Sequence, residues 1–240
     1  MSRLSFIGAL AALTVTLSSL HAEPYPKWLA IGDSITLHGP KPDLQWTGEA
    51  RGMAASELSK DYVHVLETKL KSKDPANAAD VKVVGRIGKL SAGTVDQMTT
   101  VLDELSAWGA DLVTVQLGEN DHLKDIGEEG FEQRYRMLID ALLSNAKRPT
   151  IVCTGVWAPG SGINPSQPTE YPKNSEPAKK DAIIEKICQE KGLRFVRIAA
   201  AANDKANYGW GETNGVKWHP NDAGMQAYAD AIFGALQAAQ

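Results

Sequence analysis

The chain has 240 residues, a net charge of −4 at pH 7 and only two cysteines. Its Lys and Arg residues are scattered, which excludes the concentrated basic surface that nucleic-acid binding rests on. Cys153 and Cys188 are too few for a disulfide scaffold and lack the paired spacing of a zinc site, so neither a metal nor another cofactor is expected. Their residue types leave two states open, a single bridge or two buried thiols.

Residues 1–22 read as a secretory leader. Arg3 gives a basic start, Phe6 to Leu20 are almost all apolar or small, and the stretch closes on Leu20-His21-Ala22 ahead of Pro24 and Pro26. Such a run is short for a bilayer span. The expectation is cleavage after Ala22, a secreted or periplasmic product without stable membrane insertion, and one domain over residues 23–240.

Five apolar runs then read as strands: Trp28–Ile31, Val81–Ile87, Asp111–Leu117, Thr150–Val156 and Leu193–Ile198. Helical periodicity separates them. Leu58, Tyr62, Leu66 and Leu70 recur every four residues, and Val95, Met98, Val101, Leu102 and Leu105 form a second stripe. Phe131, Tyr135, Leu138, Ile139 and Leu142 form a third, Ile183, Ile184 and Ile187 a shorter one, and Met225, Tyr228, Ile232, Phe233 and Leu236 close the chain. Continuous apolar strands alternating with amphipathic helices predict an α/β fold, a three-layer α/β/α sandwich around a parallel sheet.

Long connections run over His38–Ser56, Trp157–Glu176 and Ala200–Trp218. In open parallel sheets ligands bind beyond the carboxyl ends of the strands, where such loops gather. Trp46, Trp157 and Trp210 lie in these loops and are candidates for lining a substrate pocket. Aromatic side chains that merely pin the loops to the body fit the sequence equally well.

Gly32-Asp33-Ser34 ends the first strand, so the Ser34 hydroxyl can point into the crevice. Gly93 follows the second strand, Gly118-Glu119-Asn120-Asp121 the third, and His219-Pro220 opens the last helix. A hydroxyl, an accessible backbone amide, a side-chain amide and an imidazole on one sheet edge suit acyl transfer. Asp33 and Glu119 join the candidate pocket, with Asp33 expected to hold the nucleophile turn. His38, His64 and His122 read as structural or surface residues, and Asp222 as a helix-capping residue.

Ser34, Gly93, Asn120 and His219, with Gly32-Asp33-Ser34-Ile35 around the first, resemble the four blocks of the SGNH (GDSL-type) hydrolase family, in the family's order. The resemblance implies a five-stranded, flavodoxin-like sheet of order 2-1-3-4-5 and a cofactor-free serine esterase working through an acyl-enzyme. It also implies roles. Ser34 is nucleophile and His219 base, with the oxyanion hole from the Ser34 and Gly93 backbone N–H groups and the Asn120 side chain. One position departs: the family carries Asp three residues before the histidine, and here Val216 stands there. A backbone carbonyl near Val216 orienting the imidazole, Glu212 or another acid folding in, and a weakened site kept for binding are three readings of that departure. The expected function is carboxylic ester hydrolysis outside the cytoplasm, with carbohydrate O-acetyl groups, small or polymeric, as the favoured substrate. The alternatives are a lipid esterase, lysophospholipase or thioesterase, and a non-catalytic glycan-binding module.

Overall fold

The computed structural model describes residues 24–85, 107–144, 147–209 and 214–238. The expected leader at 1–22, the helical stripe from Val95 to Leu105, and Gly93, Trp210 and Glu212 lie outside these residues.

Five strands form the sheet: β1 (Lys27–Gly32), β2 (Asp80–Val84), β3 (Leu112–Gln116), β4 (Thr150–Thr154) and β5 (Arg194–Val196). Every neighbouring pair is parallel and the order is β2-β1-β3-β4-β5. The family-derived order is therefore the one observed. β1, β3 and β4 are buried almost throughout, as strands covered on both faces must be, whereas edge strand β2 alternates toward solvent. Register sets Gly32 beside Gln116, so the two strands that carry the candidate residues end level with each other.

Six helices are described: α1 (Tyr62–Lys73), α2 (Leu123–Leu143), α3 (Glu176–Lys191), α4 (Ala199–Asn203), α5 (Asn214–Trp218) and α6 (Asp222–Gln237). α1 packs against α6 and α2 against α3, and these pairs flank the sheet. The apolar stripes lie inward: Tyr62, Leu66 and Leu70, then Phe131, Tyr135, Leu138, Ile139 and Leu142, then Met225, Tyr228, Ile232 and Leu236 are all buried. The first stripe is broken where the sequence reads it as continuous. Leu58 belongs to a separate 3₁₀ turn, because the Asp61 carboxylate caps α1 by accepting the His64 backbone N–H at 2.9 Å. The third long connection likewise contains α4 and α5. Cys153 and Cys188 are free, buried thiols. Among the described residues, no helix is long and apolar enough to cross a membrane.

Candidate active site

The site is built at the carboxyl ends of β1 and β3. Gly32 turns the chain out of β1 where nothing larger fits, since a Cβ there would collide with Thr36 Oγ1 and Gln116 Oε1. Gln116 Oε1 accepts the Asp33 N–H at 3.3 Å and the Thr36 hydroxyl at 2.9 Å. Thr36 Oγ1 is in turn 2.8 Å from the buried Tyr62 hydroxyl. Asp33 Oδ1 accepts the Ile35 N–H at 2.9 Å, and the Asp33 carbonyl accepts the N–H groups of Thr36 and Leu37. The Ser34 carbonyl accepts the Met53 N–H at 2.8 Å, fastening the turn to the first long loop. Together these bonds fix the half-buried Ser34 and present its hydroxyl outward.

Ser34 Oγ lies 2.7 Å from His219 Nε2, although 185 residues separate them in sequence. An imidazole nitrogen at that distance can take the hydroxyl proton, provided that Nδ1 carries the ring's own proton. Asn120 lies at the same lip. One hydrogen of its Nδ2 goes to Asp33 Oδ2 at 3.0 Å, which leaves the second of the amide's two donors for a ligand. Among the described residues, the Ser34 N–H makes no hydrogen bond, so it is available to a ligand oxygen.

Backbone and indole contacts hold the imidazole. The His219 N–H donates to the Val216 carbonyl at 3.0 Å, Gly209 N–H to the Lys217 carbonyl at 3.0 Å, and Asn221 N–H to the Asn207 carbonyl at 2.9 Å. The buried Trp157 indole donates through Nε1 to the Trp218 carbonyl at 2.8 Å. Trp218 meets the imidazole edge-on, with ring centroids 5.4 Å apart. Val216 itself is buried in a small cluster with Trp46, Met53 and Ala54.

Five expectations need correction. Trp46 and Trp157 do not line an open pocket: both are 0% exposed. Trp157 packs on Tyr228 and Trp46 in the Val216 cluster, beneath the Arg51 guanidinium. Asp33 and Glu119 do not face substrate either. Asp33 is 1% exposed, and Glu119 turns inward to accept the Trp157 N–H at 2.9 Å. The cap of α6 is Asn221, which accepts the Ala223 and Gly224 N–H groups, whereas Asp222 reaches across to Ser56 N and Oγ at 2.7 and 2.6 Å. Gln116, central to the nucleophile turn, is absent from the sequence-based candidates. Its only signal is a polar side chain closing an otherwise buried strand.

Burial, reinforced by the neighbouring Glu119 charge, pushes the Asp33 carboxyl well above its ordinary range, and burial raises Glu119 as well.

Residues 30–227 match the model of the GDSL-like Lipase/Acylhydrolase family. The chain belongs to that family. It is accordingly a hydrolase of carboxylic ester bonds. No curated protein matches in sequence. Among solved structures, this GDSL-family chain resembles a catalytic mutant of Axe2, an acetylxylan esterase from Geobacillus stearothermophilus. Identity is 18%, over 88% of this chain and 93% of that one, with a TM-score of 0.56. The esterase EstA from Pseudoalteromonas sp. matches at 14% identity over 89% and 97% of the two chains, TM-score 0.56. A two-domain esterase active on acetylated mannans matches at 14% over 88% of this chain and 49% of its own, TM-score 0.55. At such identities the likeness is one of fold.

Proposed function

We propose that this chain is an exported O-acetylesterase of carbohydrate, with Ser34 as nucleophile and His219 as general base. The Ser34 Oγ to His219 Nε2 contact of 2.7 Å carries the reading. His219 Nε2 takes the hydroxyl proton as Oγ attacks the ester carbonyl, and the C–O bond to the alcohol breaks as the imidazolium returns that proton to it. Water then attacks the acyl-enzyme, again giving its proton to His219, and releases the acid and Ser34. The oxyanion is received by the Ser34 N–H and the second Asn120 N–H, with Gly93 as a third donor carried over from the family pattern.

The carbohydrate assignment draws on the family neighbours described as acting on acetylated xylan and mannan. Export rests on the leader-like residues 1–22. A site kept only for glycan binding has no use for a hydroxyl set 2.7 Å from an imidazole, so that contact counts against a binding module.

The test is turnover of p-nitrophenyl esters of increasing acyl length, and of acetylated xylan or mannan. Ser34→Ala and His219→Ala are each expected to lower kcat by about 10³-fold or more. Activity that survives both substitutions overturns the assignment. A preference for long acyl chains over acetate replaces the carbohydrate reading with the lipid or thioester one.

A further inference from the structure

Ser34 and His219 stand 185 residues apart in sequence, and one short piece of chain touches the surroundings of both. Residues 51–55 of the first long loop are all buried. On one side they hold the nucleophile turn, where the Met53 N–H donates to the Ser34 carbonyl at 2.8 Å. On the other they meet the base segment and the helix that follows it. Met53 and Ala54 pack with Val216, three residues ahead of His219. A Cβ at Gly52 would come within 2.5 Å of the Ile35 carbonyl oxygen and 2.8 Å of Met225 Cε on α6. The stretch is therefore wedged between the nucleophile turn and α6, and only glycine fits at its tightest point.

Internal bonds stiffen this stretch. The Gly52 N–H donates to Asp61 Oδ2 at 3.2 Å, the Ala55 N–H to the Gly52 carbonyl at 3.1 Å, and Arg51 Nε to the Ala55 carbonyl at 2.8 Å. Directly after it, Ser56 meets Asp222 at two points. Its backbone N–H donates to Oδ1 at 2.7 Å and its hydroxyl to Oδ2 at 2.6 Å. Hydrogen bonds to a carboxylate are the stronger kind, and engaging both oxygens fixes orientation as well as distance. Asp222 follows His219 by three residues, and the link between them has little play. Pro220 has a ring-locked φ, and the Asn221 N–H is held by the Asn207 carbonyl at 2.9 Å. Asn221 already caps α6, so the cap does not account for Asp222.

We propose that the two-point contact of Ser56 with Asp222 is a brace that sets the spacing of His219 from Ser34. Asp222 is then a positioning residue for ester hydrolysis, and the inference rests on the roles of Ser34 and His219 given above. The brace runs from the Ser34 carbonyl through Met53 to Ser56, and from Asp222 back to His219. It closes a ring of contacts around the 2.7 Å Oγ to Nε2 hydrogen bond. A misplacement of about 1 Å between reacting groups can cost about 10²-fold in rate, so a contact at the edge of the site can govern kcat. A geometric brace depends on the shape of the side chain at 222, not on its charge.

Kinetics and nitrogen NMR of the imidazole test this together. Asp222→Asn keeps an oxygen for the Ser56 N–H and an amide for the Ser56 hydroxyl, and should hold kcat within about threefold. Asp222→Ala removes both bonds, and should lower kcat by about tenfold at nearly constant KM. Ser56→Ala keeps the backbone bond and should lose about threefold, a loss that disappears when Asp222 is already alanine. Equal damage from Asp222→Asn and Asp222→Ala, no loss from Asp222→Ala, or additive losses in the double variant each overturn the brace. The NMR readout needs no turnover. Ser34→Ala marks where the His219 Nε2 signal falls once the hydroxyl contact is gone. Asp222→Ala should move the signal toward that position and Asp222→Asn should not. A signal unmoved in Asp222→Ala overturns the brace whether or not the chain turns over esters. If Asp222→Ala lacks a cooperative melting curve, Ser56→Ala decides, with a smaller shift in the same direction. A wild-type chain inert toward every ester fails the functional assignment instead, while the Nε2 signal still decides whether the brace sets the contact.

Discussion

The two halves of the candidate site are supported by opposite chemistry. Under Ser34 and Asn120 lies a buried polar network of Asp33, Gln116, Thr36 and Tyr62, joined by hydrogen bonds. Beside His219 lies an apolar cluster of Val216, Trp46, Met53 and Ala54, with the adjoining segment held by backbone bonds and the Trp157 indole. The nucleophile side thus relies on directional groups, which set the orientation of an amide and a hydroxyl. The base side adds the apolar volume around Val216 to the bonds that hold the segment carrying His219. The family pattern places a carboxylate on the base side. Here, among the described residues, the Asp33 carboxyl is buried under the Ser34 and Asn120 side.

Introducing a charge into the apolar half breaks this contrast most severely. From triad logic alone, Val216→Asp restores the family's aspartate at that position and should raise activity. Val216 is 1% exposed among Trp46, Met53 and Ala54, so a carboxylate there is desolvated. The expected cost is about 3–5 kcal/mol of stability. Denaturant unfolding of the variant measures it directly. A stable variant with raised kcat would mean that the new carboxylate reaches the imidazole and the cluster yields around it.

Much of this arrangement is legible in the sequence, for reasons that also explain what is not. β1, β3 and β4 are covered on both faces, so they read as unbroken apolar runs. Ser34, Asn120 and His219 stand at strand ends or a helix start, where short motifs have a fixed structural meaning. Trp46 and Trp157 stand in loops, and an indole in a loop reads alike whether it faces solvent or core. Its burial depends on partners far along the chain, as Trp157 on Tyr228 shows. Gln116 and the inward turn of Glu119 escape notice likewise, because a polar residue at a strand end is ordinary until its partners are placed.

The polar half can be unsettled by pH through Asp181, which holds the Val156 N–H at 2.9 Å just before Trp157. Burial raises its carboxyl from 3.8 to about 7. A folded-state value above the unfolded one favours the protonated form on folding. That contribution is complete below the unfolded value, is lost as pH rises toward 7, and is absent above it. Asp181→Asn keeps an acceptor for Val156 and removes the titration. The variant should therefore gain on the wild type across about pH 4 to 8, by up to about 4 kcal/mol. Urea unfolding of both chains over that range checks the slope, and parallel curves would show that Asp181 titrates normally.

Trp157 links the two halves, so a milder change there separates packing from charge. Its backbone N–H binds Glu119 on the polar side, and its indole N–H binds the Trp218 carbonyl on the base side. Trp157→Phe leaves the first bond and removes the second, along with part of the ring that packs on Tyr228. The unsatisfied carbonyl and the small cavity should together cost about 2 kcal/mol. Because Trp218 precedes His219, the loosened carbonyl acts on the base and leaves Asn120 in place. The expected kinetic signature is a fall in kcat of about fivefold with KM little changed, the mark of an interaction that matters in the transition state. A matching rise in KM with constant kcat would mean instead that Trp157 shapes the substrate cleft, and that the base is held by other contacts.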